Sequence, residues 1–109
     1  MKIKSFLLIL LFFVISKINI SFADEAKMKK GLEIFNEKAA CAACHILEAA
    51  GSEGNIGPNL DTVDGLTQAS VIDIVTYGLG VMPAFGEDEI LTKEEVDTVS
   101  FYVVNSVSK

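Results

Sequence analysis

Both cysteines and the single histidine of this 109-residue chain fall within five consecutive positions, Cys41-Ala42-Ala43-Cys44-His45. C-x-x-C-H is the attachment pattern of c-type haem, in which the two thiols add across the porphyrin vinyl groups and the histidine lies under the iron. A chain that folds around such a group must wrap it, so this pentapeptide constrains the architecture more than any other feature. Three rival uses of the cysteines are weaker. A redox-active C-x-x-C calls for a βαβ pattern nearby, and none is visible. A structural zinc site needs a fourth ligand, and there is no further cysteine or histidine to supply one. A disulfide between cysteines three apart closes a very small ring and contributes little loop entropy.

The first residues argue for export, which suits covalent haem. Lys2 and Lys4 precede the unbroken apolar run Phe6 to Ile15, and Ser21-Phe22-Ala23 then offers small residues before Asp24-Glu25. This is the layout of a secretory signal peptide over residues 1–23, cleaved after Ala23, with a periplasmic destination for residues 24–109. The rival, an uncleaved anchor, would need about 20 mainly apolar residues, and Lys17 ends the run early.

Removing that leader takes away three of the nine basic residues and none of the fifteen acidic ones, so the formal charge moves from -6 to -9. Such a surface excludes nucleic acid, whose phosphates need clusters of lysine and arginine. It favours encounter with redox proteins that present a basic docking patch. A domain this small buries only about 60% of its unfolded surface. With no tryptophan and only two tyrosines, something other than side chains is expected to fill its centre.

Helical spacing of Met28, Leu32 and Phe35 predicts a helix over Glu25 to Lys38. Gly31 inside it implies a close approach by another element. Thr67 is the expected N-cap of a second helix with Val71, Ile72, Ile74 and Val75 on its apolar stripe, ended by Gly78. Thr92-Lys93-Glu94-Glu95 is a capping box opening a third helix, whose apolar face is Val96, Val99, Tyr102 and Val103. Gly51 to Leu60 and Gly78 to Gly86 are loops, and no run alternates as a strand. The fold class is therefore all-α, with three main helices around one haem.

Met82 is the candidate for the second axial ligand, since methionine is one of the partners found opposite histidine. Gly78 and Gly80 give the preceding backbone freedom, and Pro83 stiffens the chain immediately after it. Met28 lies on a helix face and is read as core. The alternative is an iron left open or water-ligated on that side.

Taken together, these features resemble the class I c-type cytochromes over essentially all of Glu25 to Ser106. Gly31 and Phe35 look like the glycine and aromatic of the family's N-terminal helix, and Val99 and Tyr102 like their partners on the C-terminal helix. Gly57-Pro58-Asn59-Leu60 matches the family's turn, and Met82-Pro83-Ala84-Phe85-Gly86 its methionine loop. The resemblance implies a covalent haem c at Cys41 and Cys44, and His45 and Met82 on the iron. It also implies that the Pro58 carbonyl accepts from the His45 Nδ1–H and that Leu60 packs on the haem. From the residues alone, Pro58 reads equally well as a turn proline. Many members carry an arginine or tryptophan near the haem propionates, and this chain has neither. Backbone N–H groups, Tyr77, Asn59, a lysine or water are the remaining candidates for those carboxylates. The implied activity is one-electron transfer, without enzymatic turnover, between periplasmic or membrane redox partners. The expected form is a monomeric carrier that meets membranes only through partner complexes. The alternative is the haem subunit of a periplasmic dehydrogenase, such as one oxidising sulfur compounds.

Overall fold

The computed structural model describes residues 22–108. The expected leader lies outside the described residues except for Phe22 and Ala23, which open the first helix. Helix α1 covers residues 22–33 and continues into a π-helical turn, Ile34–Lys38. That wider turn closes with Ala39 N donating to Ile34 O at 2.9 Å, and its first two side chains, Ile34 and Phe35, are both buried.

Helix α2 (Gln68–Tyr77) begins where Thr67 accepts from Ser70 N, and helix α3 (Lys93–Ser106) where Thr92 accepts from Glu95 N. Both starts are reciprocal capping boxes that satisfy otherwise orphaned N–H groups. On α2, Val71 and Val75 are buried; on α3, Val96, Val99, Tyr102 and Val103 are. These stripes meet Ile34 and Phe35 in one core with Leu47, Phe85 and Leu91.

Helices α1 and α3 cross at Gly31. A Cβ there would lie 2.3 Å from Tyr102 Cβ and 2.9 Å from Thr98 O, so only hydrogen fits. Phe35 and Tyr102 stack beside it, with ring centroids 6.0 Å apart at 58°. Two ion pairs flank the crossing, Lys27–Asp97 at 2.8 Å and Lys38–Glu95 at 2.6 Å. Gln68 Nε2 donates to Asp97 Oδ1 at 3.1 Å and ties the start of α2 to the same place.

One element was not expected from the sequence. Strands β1 (Ile46–Leu47) and β2 (Ser52–Glu53) pair antiparallel, with Leu47 opposite Ser52. A tight turn, Glu48–Ala50, joins them and ends at Gly51 with φ 68°. Two-residue strands are too short to show alternation, so the all-α reading holds apart from this ribbon. Among the described residues no helix is long and apolar enough to cross a membrane.

Candidate functional site

The cysteine motif starts from a strained residue. Ala40 sits in the left-handed region at φ 51°, which costs a residue with a Cβ about 1–2 kcal/mol. It is held there because Ala43 N donates to Ala40 O at 3.0 Å, opening the 3-10 turn Cys41–Ala43. Cys44 N and His45 N both donate to Cys41 O, at 3.1 and 2.9 Å. The turn therefore presents the two thiols and the imidazole from one compact loop.

Both thiols are free. Burial pushes Cys41 from 9.0 up to about 11, well before the smaller opposing effect of a backbone hydrogen bond. A thiol so placed is protonated near neutrality and a poor nucleophile or metal ligand. A neutral thioether suits that environment, whereas a thiolate does not. Among the described residues, no three His, Cys, Asp or Glu side chains are grouped to hold a bare metal ion.

His45 Nδ1 lies 2.8 Å from Pro58 O. A carbonyl only accepts, so Nδ1 carries the proton and the Nε2 lone pair is left for another partner. Gly57 presses on the same ring: a Cβ there would stand 2.6 Å from His45 Cε1 and 2.9 Å from Nδ1. Gly57 N also donates to Cys44 O at 2.7 Å. Leu60 opens the next 3-10 turn, Leu60–Thr62, and packs half-buried against the core.

Met82 is also half-buried against the core. It closes a tight hairpin in which Leu79 and Met82 exchange backbone hydrogen bonds of 3.3 and 3.0 Å. Gly78 and Gly80, at φ 73° and 59°, make the hairpin possible. A Cβ on Gly78 would meet Met82 O at 2.6 Å. The tip carries exposed apolar side chains, Leu79 and Val81, as does the Gly57 loop with Ile56.

Sequence reading missed two residues that brace this site. Ser52 Oγ bonds the backbone on both sides of Ile46. Asp61 accepts from Glu48 N and Ser108 N, both at 2.9 Å, and these two donors hold its carboxyl below the usual carboxylate range. Neither residue belongs to a motif, and both act across loops.

The family model described as "Cytochrome C oxidase, cbb3-type, subunit III" matches residues 26–103. Cytochrome c6 of Gloeothece citriformis is 31% identical over 113 residues, covering 98% of this chain and 94% of that protein. The chain belongs to the c-type cytochromes. Another relative, the cbb3-type cytochrome c oxidase subunit FixP of a Bradyrhizobium species, is 38% identical over 86 residues. That match takes in 68% of this chain but only 28% of FixP. Among solved structures, the c-type cytochrome SorU from Sinorhizobium meliloti is 42% identical, covers 78% of this chain and 95% of its own, and has a TM-score of 0.69.

C-type cytochromes are electron-transfer proteins that bind haem c covalently, and Cys41, Cys44 and His45 fit that attachment motif. The rest of the site fits the group as well. At the part-buried Cys41 burial disfavours a thiolate, which suits a neutral thioether; the His45 ring has one nitrogen committed and one free, and only glycine is tolerated beside it. Asn59, a candidate partner for the haem propionates, already accepts from Asp61 N at 3.0 Å through Oδ1.

Proposed function

We propose that this cytochrome is a freely diffusing, periplasmic one-electron carrier whose haem is joined to Cys41 and Cys44 and ligated by His45 and Met82. The observation that carries the reading is the 2.8 Å contact from His45 Nδ1 to Pro58 O, because it sets the tautomer that offers Nε2 to a metal. When bound, the haem supplies a one-electron couple. The chain's own residues orient the histidine, bring a methionine loop of restricted geometry to the core, and pack Leu60 against that same core. With both axial positions filled, no site is open for substrate, and electron transfer is the remaining chemistry.

Charge supports a basic partner. Between residues 39 and 92 there is no lysine or arginine, and the carboxylates are Glu48, Glu53, Asp61, Asp64, Asp73, Glu87, Asp88 and Glu89. Glu87 N donates to Thr76 O at 2.9 Å, which seats that last acidic triplet beside exposed Tyr77 and the hairpin. An apolar tip beside carboxylates suits a donor or acceptor with lysines around an apolar contact, reached by salt-sensitive steering.

The matches take in 94% of cytochrome c6 and 95% of SorU, proteins that their names make cytochromes rather than subunits of an oxidase, and this supports the carrier reading. The likeness to FixP, whose name makes it a subunit of an oxidase, supports the second reading, a haem subunit of a larger assembly. Substitution of Met82 by alanine tests the ligation: the weak red absorption band of ferric iron bonded to methionine sulfur is expected to vanish while the haem stays covalently attached. Its persistence in Met82→Ala would refute the axial assignment. Reduction by the native donor that slows steeply with salt supports the carrier, whereas co-purification with a catalytic subunit at high salt overturns it.

A further inference from the structure

We infer that Ser52 is a positioning residue for His45, clipping the backbone that leaves the histidine and so setting where its imidazole stands. This rests on the reading of His45 as an iron ligand. Ser52 is buried, and its Oγ makes two hydrogen bonds of 2.9 Å: it accepts from Leu47 N and donates to His45 O. A further approach to Leu47 O at 3.3 Å competes for the same proton, and the shorter carbonyl is the better acceptor.

The position of the clip gives it leverage. On its N-terminal side, His45 is pinned by its own N–H to Cys41 O at 2.9 Å. On its C-terminal side the ribbon is only two residue pairs long, and Leu47 faces Ser52 in it. Such a short ladder leaves the chain loosely held. The hydroxyl replaces the missing ladder, spanning Ile46 from the carbonyl of His45 to the N–H of Leu47. With both ends of the His45 backbone tied, its Cα–Cβ direction is set, and Pro58 O and Gly57 then fix the ring about that direction. Serine is the fitting residue because it both donates and accepts through one small group.

The test compares ferric holoproteins by the spread of their haem methyl proton resonances, which reports the orientation of the axial ligands, and by midpoint potential. Ser52→Ala is expected to redistribute the four resonances and shift the potential. Ser52→Thr, which keeps the hydroxyl in a strand that accepts branched residues, returns both toward the parent values. Thr98→Ala is the control: Thr98 Oγ1 is a part-buried hydroxyl donating at 2.9 Å to Glu94 O, on α3. It is expected to lower stability without moving either readout. Unchanged resonances in Ser52→Ala overturn the inference, and so does an equal shift in Thr98→Ala. Amide exchange in the unmodified protein decides the matter even if Ser52→Ala does not fold. The Leu47 amide is expected to exchange slowly, and exchange as fast as that of exposed Gly65 overturns the clip. Failure of the underlying reading looks different, because the unmodified protein would then show no histidine–methionine signature at all.

Discussion

Gly57→Ala isolates the contact that holds the candidate ligand ring. Gly57 is absent from the residues of positive φ, so alanine meets no backbone objection there, only a spatial one. Its Cβ would stand 2.6 Å from His45 Cε1, 2.9 Å from Nδ1 and 3.1 Å from Nε2. Carbon atoms settle about 3.5–4.0 Å apart, so the ring or the Gly57 backbone must retreat by about 1 Å. The ring cannot retreat freely, because Nδ1 is bonded to Pro58 O at 2.8 Å, and a move of that size takes the bond past any useful length. Overpacking costs about 1–3 kcal/mol, and the lost hydrogen bond adds about 1 kcal/mol, for a destabilisation of about 2–4 kcal/mol. With His45 on the iron, as proposed, the redox effect has a definite sign. An acceptor on Nδ1 raises the basicity of the imidazole and favours the ferric state, so losing it raises the midpoint potential. If about 1 kcal/mol of that preference is lost, the rise is about 40 mV for a one-electron couple. Guanidinium unfolding of the ferric protein and a potentiometric titration read the two quantities. A variant with parental stability and potential would show that the ring does not rest against Gly57 in the haem-bearing protein.

Two further perturbations concern the helix crossing. Gly31→Ala sets about 1 kcal/mol of gained helix propensity against a Cβ placed 2.3 Å from Tyr102 Cβ and 2.9 Å from Thr98 O. A 2.3 Å approach to a buried Cβ puts the overpacking in the upper part of its range, about 2–3 kcal/mol, so the net is a loss of about 1–2 kcal/mol in thermal or chemical unfolding; a raised melting temperature would mean that α1 and α3 do not cross here. Glu95 is held at about 2, below its ordinary 4.5, first by the Lys38 ammonium and then by the Thr92 N–H. A depressed carboxyl contributes stability above its unfolded pKa and loses it as pH falls from about 4.5 to about 2. The full shift corresponds to about 3 kcal/mol, which solvent around the half-exposed Lys38 reduces to about 1–2 kcal/mol. The stability gap between the parent and Glu95→Gln, tracked by unfolding at a series of pH values, is therefore expected to close over that window; a gap that stays constant refutes the assignment.

The features legible in the sequence are those whose cause is local. Thr92 and Glu95 stand three apart, and the capping box forms because backbone geometry brings such positions together. Thr67 was legible as a cap for the same reason, while Ser70 as its reciprocal partner was not, since the box is usually completed by glutamate or glutamine. Gly31 announced a close approach by its residue type alone, whereas its partner Tyr102, 71 positions away, was legible only through the resemblance to a known family. The π-helical turn is invisible to periodicity, because a single widened turn at the end of α1 leaves the apolar spacing before it unchanged. Lys38–Glu95 and Asp61–Ser108 join positions far apart in the chain and leave no pattern within any window.

The same division runs through the site. The residues with chemistry are concentrated in short motifs, and their types alone identify haem attachment. What makes those types usable is a set of backbone contacts from residues of no special character. Pro58 acts through its carbonyl, Gly57 through the absence of a side chain, Ala40 through a strained φ, and Ser52 through a hydroxyl turned onto the main chain. Asp61 extends the bracing outward: one carboxylate oxygen takes the N–H of Glu48, just past the ribbon strand that succeeds His45, and the other takes that of Ser108, just past α3. The loop carrying the histidine is thereby coupled to the helix that crosses α1. Under the proposed ligation by His45, an electron carrier gains from this arrangement, because a ligand held in one orientation in both oxidation states has little to reorganise when the charge on the iron changes.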